Sequence, residues 1–303
     1  MSIVAIIPPD PSRKGCVRWI PSKDDNFPLM EKYLQTTIGF TATFLVMPCV
    51  LNAGKRKKLL CMVARLQSNF EFVAVPPFQL DKIFLISCKL GPNFPKWLQT
   101  QTNFSILEIS NTGISDMAPQ WFWGLLTPNL LWLNVSYNNL WGTIPNFPVG
   151  FIGSPNISLA FNRFEGSVPS FLRSASIVDL SNNKFSESLT FLCDNTSAEA
   201  LAMLDISSNQ FSGQLSDCWT SFTSLIYLDL SNNNLSWEIL PSIGSLLGLQ
   251  ALIIRNNSLI GELPLSLKSC TSLKMLDVGK NRLSGSIPSW IGEELQQLQM
   301  LSL

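Results

Sequence analysis

The 303-residue chain is predicted to be a solenoid, a curved right-handed coil of stacked repeats. A parallel β-sheet is expected on its concave side and short 3-10 or helical turns on its convex side. Three observations predict this fold: an apolar motif recurs at nearly constant spacing, a polar residue closes each motif, and glycine and proline follow at fixed distances. The apolar motif builds a strand, the polar residue closes the turn after it, and glycine and proline bend the chain into the next coil.

The apolar motif is L-x-x-L-x-L-x-x-N-x-L, where L stands for any apolar residue. It fits nine times from Leu80 onward, and a tenth copy begins at Leu298. Four positions in nine copies make 36, of which 35 are apolar; Ser154 is the exception, in a chain that is 46% apolar overall. The L-x-L alternation places apolar side chains on one face of a strand. Parallel strands stacked about 4.8 Å apart would make nine coils span on the order of 40 Å.

A polar residue, here called the ladder residue, closes each motif, and in the last seven complete copies it is asparagine. Its amide is expected to bond buried backbone groups of its own turn and of the adjacent coil, each of which would cost about 1–3 kcal/mol if left unpaired. Cys88 and Thr112 hold the same position in the first two copies and replace asparagine only in part. The seven ladder asparagines are Asn138, Asn162, Asn183, Asn209, Asn233, Asn257 and Asn281.

Glycine falls four residues after the ladder position in five copies, and proline falls seven residues after it in six. Glycine tolerates the backbone angles of a tight bend, and proline restricts φ where no backbone donor is needed. The glycines are Gly142, Gly166, Gly213, Gly261 and Gly285, and the prolines are Pro95, Pro119, Pro145, Pro169, Pro264 and Pro288.

These motifs resemble the plant-specific class of leucine-rich repeats over residues 76–303. Four segments resemble, more narrowly, plant receptor-like proteins of the fungal-xylanase-receptor type: Pro76–Leu80, Cys88–Pro92, Leu107–Asp116 and Gly285–Gly292. The resemblance implies a leucine-rich-repeat solenoid that forms the ectodomain of a plant cell-surface receptor, on the extracellular face of the plasma membrane. It also implies a peptide, protein or microbial-pattern ligand, and a co-receptor kinase, because the sequence has no kinase motif.

The expected organisation is a non-repeat segment over residues 1–77 and a solenoid over residues 78–303, with nine complete repeats and a truncated tenth. Because neither a signal peptide nor a membrane anchor is evident, the chain is interpreted as an internal fragment whose membrane attachment lies in parts outside it. Tyr33–Gly54 is uncharged and long enough to span a membrane. The basic run Lys55–Lys58 after it would place the repeats in the cytosol, which argues against such a span.

Several classes of function are excluded by composition. The sequence has no histidine, which removes Ser-His-Asp and Cys-His nucleophile schemes and histidine-ligated zinc. Its 21 basic and 21 acidic side chains cancel, so nucleic acid is not an expected partner. The seven cysteines form no C-x-x-C pair, so neither a cysteine-ligated zinc site nor a thioredoxin-like redox site is expected. We therefore expect no catalytic residue, no metal and no cofactor, and a chain that is not an enzyme.

Ligand binding is predicted at large side chains that the strand alternation turns outward on the concave face, namely Trp132, Tyr137, Tyr227 and Arg255. Packing of the aromatic side chains on one another across strands is the alternative explanation for them. A column of aspartates at positions 179, 205, 229 and 277 is interpreted as a solvated structural row, because neighbouring carboxylates repel.

Two kinds of covalent modification are predicted. Cys193 and Cys218 lie at nearly equivalent places in adjacent coils, about 5 Å apart, within the range of a disulfide. Asn-x-Ser/Thr sequons suit a secreted protein, although two of them, Asn134 and Asn156, fall on the concave strands. The six predicted glycosylation sites are Asn103, Asn134, Asn156, Asn195, Asn234 and Asn256.

The favoured function is a non-catalytic recognition ectodomain in defence or developmental signalling. Two alternatives stay open from the sequence. One is a secreted, wall-located leucine-rich-repeat inhibitor of microbial enzymes, and the other is a non-functional fragment of a receptor gene.

Overall fold

The computed structural model describes residues 49–53, 56–60, 79–147, 149–193, 198–215 and 217–303. Most of the predicted N-terminal segment therefore lies outside the described residues, and the division of the chain at residue 77 stays a prediction.

One long sheet, here called the concave sheet, runs through the described part of the chain. Its twelve strands follow one another in chain order, and all neighbours are parallel except the first two, which are antiparallel. Leu204 lies opposite Val178 on one side and Leu228 on the other, so the motif residues of successive coils are in register. The strands are β1 (Cys49–Ala53), β2 (Arg56–Leu60), β3 (Lys82–Phe84), β4 (Ile106–Glu108), β5 (Trp132–Asn134), β7 (Asn156–Ser158), β9 (Ile177–Asp179), β11 (Met203–Asp205), β13 (Tyr227–Asp229), β15 (Ala251–Ile253), β17 (Met275–Asp277) and β19 (Met300–Ser302).

Two smaller parallel sheets, here called the lateral sheets, form after the ladder residues. They have three and four strands within the described residues, and each strand begins one to three residues after its ladder asparagine. The first is built from β6 (Trp141–Gly142), β8 (Arg163–Gly166) and β10 (Lys184–Phe185), and the second from β12 (Ser212–Gln214), β14 (Asn234–Glu238), β16 (Ser258–Gly261) and β18 (Arg282–Leu283).

Short helices close the coils on the opposite side. In several coils the motif proline stands directly before the helix, in extended backbone, where its missing N–H leaves no bond unmade. The part of the chain that the structure describes contains six 3-10 helices, at Lys96–Thr100, Ser170–Ser174, Leu189–Cys193, Trp219–Ser221, Pro241–Ser245 and Leu265–Ser269, and two short α-helices, α1 (Gln120–Trp123) and α2 (Trp290–Glu294).

The apolar motif positions form a continuous core. All 35 are buried except Leu90 and Leu283, which pack partly buried against the same core. A column of phenylalanines runs through it, with ring centroids 6.3 Å apart between Phe164 and Phe185 and 6.4 Å apart between Phe185 and Phe211. The predicted leucine-rich-repeat solenoid is therefore confirmed, with motif leucines turned inward and strands aligned side by side.

Each ladder asparagine joins two coils. Asn233 Oδ1 accepts the N–H of Phe211 at 3.1 Å, while its Nδ2 donates to the carbonyl of Ile206 at 3.0 Å, both in the preceding coil. The same Nδ2 donates to Leu230 O at 3.1 Å in its own turn. Buried polar groups on both sides of the turn are thereby paired in every coil that carries asparagine.

Candidate ligand-binding surface

The concave strands decide which side chains face outward. In β13 the middle residue, Leu228, is fully buried, while Tyr227 before it and Asp229 after it point to the other face of the sheet. The outward face of the concave sheet therefore carries two columns of side chains, one from the first residue of each strand and one from the third. A third column, here called the left-handed row, comes from the residue just before each ladder position.

Trp132, in the first column, is half-buried and anchored. Its Nε1 donates to Glu108 Oε2 at 2.9 Å, across one strand step. Burial of Glu108 raises the pKa of its carboxyl group, and hydrogen bonds from Ser110, Trp132 and Asn134 oppose this rise. The indole is therefore held in place by a carboxylate of the sheet, and one part of its ring stays accessible.

The aspartate column is less solvated than predicted. Asp229 is 9% exposed and Asp277 only 6% exposed. Each carboxylate folds back onto its own turn and accepts the N–H two residues later, at 2.9 Å from Ser231 and 3.1 Å from Gly279. The prediction of a solvated row is wrong for these two residues, because the backbone donor after the strand draws the carboxylate inward.

Asp205 is a half-buried member of the same column. It accepts the N–H of Ser207 at 2.9 Å. Burial raises the pKa of Asp205 to about 6, and the charges of Asp229 and Asp179 add to the rise. Among the described residues no group of histidine, cysteine, aspartate and glutamate side chains could hold a metal ion.

Tyr227 and Arg255 each contact the aspartate column. The Tyr227 hydroxyl donates to Asp229 Oδ2 at 3.3 Å, and its pKa is raised by burial and then by the neighbouring carboxylates. Arg255 Nη1 lies 3.6 Å from Asp277 Oδ1 and donates to Ser302 Oγ at 3.3 Å. Tyr227 and Arg255 are thus half-buried, and neighbouring carboxylates orient them. The exposed part of each side chain contributes to the surface of the concave face.

Tyr137 lies in the left-handed row, one coil before Phe161. Both have positive φ, 56° and 53°, and their rings stack with centroids 4.3 Å apart and planes 10° apart. They remain 57% and 42% exposed. The two rings therefore stack on each other across coils and are exposed to solvent at the same time, although the sequence offered these as alternatives. Phe161 falls outside the predicted ligand-binding residues, although its position before a ladder asparagine, shared with Tyr137, could have indicated the pair.

The predicted sequons differ in exposure. Asn103, Asn234 and Asn256 are exposed, whereas Asn134 and Asn156 are half-buried on β5 and β7. Asn134 Oδ1 also accepts the N–H of Ser136 at 2.9 Å. Asn195 lies outside the described residues, and glycosylation at all six sites stays a prediction.

Cys193 and Cys218 form a disulfide between adjacent coils, with Cα atoms 5.4 Å apart and a sequence separation of 25. Cys270 is fully buried, its Sγ lies 3.7 Å from the carbonyl oxygen of Ile243, and burial raises the pKa of its thiol to about 11.

In the part of the chain that the structure describes, no helix has the length and apolar character needed to cross a membrane. The uncharged stretch Tyr33–Gly54 lies outside the described residues except for Cys49–Ala53, which is strand β1.

Comparison with known proteins identifies the same repeat. The Leucine Rich Repeat family model matches residues 129–151, 224–246 and 272–293. Receptor-like protein EIX2 of Solanum lycopersicum is 46% identical over 159 residues, which cover 52% of this chain and 15% of that protein. Receptor-like protein 53 of Arabidopsis thaliana is 33% identical over 159 residues, 49% of this chain and 15% of that protein. The chain therefore spans a small part of the length of the curated relatives it matches.

A solved structure agrees with these sequence matches. The ectodomain of the Arabidopsis receptor kinase HAESA, in complex with an IDA peptide hormone, superposes with a TM-score of 0.57 at 30% sequence identity. The superposition covers 69% of this chain and 35% of that one.

Proposed function

Because the chain is a leucine-rich-repeat solenoid related to plant receptor-like proteins, we propose that it is a ligand-recognition ectodomain of such a receptor, with a peptide or protein as ligand. The receptor acts at the extracellular face of the plasma membrane, in defence or developmental signalling. It signals through a partner kinase, as the likeness to proteins named receptor-like proteins suggests.

The observation that carries this proposal is the concave sheet with its outward columns. Trp132 and Tyr227 are oriented by carboxylates, and Arg255 is held by Asp277, so these large side chains present a fixed pattern of apolar and polar groups. Aromatic and arginine side chains that are already ordered lose little entropy on binding, which makes them effective anchors for a protein ligand. The HAESA ectodomain, on the same fold, was solved with a peptide hormone, which supports this class of ligand.

Recognition without catalysis also fits the chemistry of the site. The sequence has no histidine to act as a general base. The carboxylates of the concave sheet are engaged by backbone N–H groups of their own turns, as at Asp205 and Asp229. Their contacts orient neighbouring side chains and do not activate a nucleophile.

The test uses the full chain, secreted from plant cells and immobilised. Peptides and proteins of plant and fungal extracellular fluids are passed over it and over a variant with Trp132→Ala, Tyr227→Ala and Arg255→Ala. A matched control variant carries Leu247→Ala and Leu265→Ala, two residues that are 63% and 62% exposed and lie away from the concave sheet. We expect ligands that bind the wild type and the control saturably and are lost by the concave variant.

The proposal is contradicted if all three proteins retain the same molecules, or if the control variant loses them too. Dose-dependent inhibition of a microbial wall-degrading enzyme, without any retained peptide, would instead support the alternative function of a secreted inhibitor of microbial enzymes.

A further inference from the structure

We propose that the concave surface binds a cationic peptide, which places a large apolar side chain on the Tyr137–Phe161 pair and lysine or arginine side chains against Asp179 and Asp205. The buried Asp229 adds its negative charge from below the surface. This inference rests on the proposed function and adds the chemical class of the ligand and its direction along the solenoid. Its apolar end lies toward β5 and its basic end toward β11.

The first argument is the backbone of the left-handed row. A non-glycine residue with positive φ costs about 1–2 kcal/mol, and asparagine bears that cost best because its short polar side chain bonds locally. Seven of the nine residues in the row have small polar or flexible side chains, and the other two are aromatic. In chain order the row is Ser87, Asn111, Tyr137, Phe161, Asn182, Ser208, Asn232, Asn256 and Lys280.

Burial of the aromatic pair does not offset the free-energy cost of its left-handed backbone. Tyr137 and Phe161 contact each other, which contributes about 0.5–1.5 kcal/mol, but about half of each side chain stays in water. Stability of the solenoid therefore does not explain two strained aromatic residues in adjacent coils. Strained residues that the fold does not require are characteristic of binding sites, and exposed aromatic pairs are typical anchors for apolar side chains.

The second argument is charge. The coil after Phe161 contains Asp179, since the N–H of Phe161 donates to Ser181 O at 2.9 Å. Asp205 then lies between Asp179 and Asp229 by strand register. Among the described residues none forms an ion pair with these three carboxylates; the arginine of this face, Arg255, pairs with Asp277 further along. Three like charges on adjacent strands repel one another, so a cationic side chain placed over them is favoured on electrostatic grounds.

Geometry then relates the two features. From the coil of Phe161 to the coil of Asp205 there are two strand steps, about 10 Å at about 4.8 Å per step. An extended peptide covers that distance in about three residues. The expected ligand therefore has a large apolar residue about three positions from a lysine or arginine.

The test is selection of short random peptides on the immobilised full chain, followed by affinity measurement on the peptides selected. We expect a large apolar residue and a basic residue about three positions apart to be enriched. Two variants then probe the surface: one carries Tyr137→Asn and Phe161→Asn, and the other Asp205→Ser, which creates no new sequon. Both substitutions have precedent in other coils, because Asn111 and Asn182 lie in the left-handed row and Ser158 is the third residue of β7.

We expect selected peptides to bind the aromatic-pair variant about 10-fold more weakly and the Asp205→Ser variant about 5-fold more weakly, with Asn139→Ala as an unaffected control. Binding should also weaken from pH 7.5 to pH 5. The pKa of Asp205 is raised to about 6, and Asp179, Asp229 and the neutral Tyr227 hydroxyl are the titratable groups that surround it.

The inference is overturned if no peptide is selected, if the selected peptides are neutral or acidic, or if their affinity is the same for both variants and the wild type. Its failure is distinguishable from failure of the proposed function. A natural ligand lost by the Trp132, Tyr227 and Arg255 variant but retained by the aromatic-pair variant would preserve the recognition function and reject this ligand class.

Discussion

At the scale of one residue, the amide of Asn138 explains why asparagine recurs along the chain. Its Oδ1 accepts the N–H groups of Thr112 at 3.0 Å and Ile114 at 3.2 Å, and its Nδ2 donates to the carbonyl of Ile109 at 2.9 Å. Only a side chain with both a donor and an acceptor on one short stem can serve both kinds of group. The adjacent Asn139 has an exposed side chain, and its backbone N–H donates to the carbonyl of Ile114 in the preceding coil.

Replacing Asn138 with alanine is therefore expected to lower the free energy of unfolding by about 3 kcal/mol, because several buried backbone groups lose their partners. Asn139→Ala is the matched control and should change it by less than about 0.5 kcal/mol. Urea unfolding of both variants, followed by circular dichroism, measures the difference. Equal destabilisation by the two substitutions would show that the ladder bonds contribute little.

A second prediction at this scale concerns Asp205. Its folded-state pKa of about 6 lies above its ordinary value of 3.8, so the folded state binds the proton more tightly than the unfolded state does. The resulting stabilisation is fully present below pH 3.8 and is lost as pH rises through 6. Asp205→Ser, which matches Ser158 in β7, should therefore raise the urea midpoint relative to wild type at pH 7.5, and the gain should shrink at pH 4.5. A gain that is the same at both pH values would contradict the assignment.

At the scale of an element, the bend after each ladder asparagine places a residue with positive φ four positions later, which is why glycine recurs there. Gly261 has a φ of +79°, and an added Cβ would lie 2.9 Å from Glu238 Cγ. Glu187 and Trp237 take the equivalent place in their coils, with φ of 73° and 74°. The bend is thus imposed by the stacking of coils, and glycine is its least strained occupant.

Gly261→Ala is expected to destabilise the chain by about 1 kcal/mol, because the left-handed backbone disfavours a Cβ by more than the unfolded chain loses in entropy. Gly248→Ala serves as the control, since the nearest atom to its added Cβ is Leu225 O at 3.8 Å. The urea midpoints of the two variants provide the measurement. An equally stable Gly261→Ala variant would mean that the bend adjusts without strain.

At the scale of the whole molecule, the solenoid is a one-dimensional stack. Strands of the concave sheet pair only with the strands before and after them, and the ladder bonds likewise join adjacent coils. Stability should therefore be close to a sum over coils and their interfaces.

Two ladder substitutions in distant coils test this additivity. Asn138→Ala and Asn257→Ala lie five coils apart and share no partner, so their destabilisations should add within about 0.5 kcal/mol in the double variant. A double-mutant cycle by urea unfolding gives the coupling energy. A coupling above about 1 kcal/mol would indicate that strain spreads along the stack.

The repeat itself was predictable because it depends on local periodicity. The motif positions are buried and the strands are in register, as the spacing of leucines indicates. The candidate site was predictable only in part. Trp132, Tyr227 and Arg255 lie on the concave face as expected, but their orientation depends on Glu108, Asp229 and Asp277 in the same or neighbouring strands, which no sequence period specifies.

By itself the sequence determined the solenoid, its ladder and the absence of histidine chemistry, because each follows from residue type and regular spacing. The tertiary structure decided that Tyr137 and Phe161 meet in one exposed stack, and that Asp179, Asp205 and Asp229 stand side by side with no ion-pair partner among the described residues. Such contacts join residues that are far apart in sequence and that meet because the coils stack. Their distances therefore depend on three-dimensional packing and cannot be read from local residue patterns.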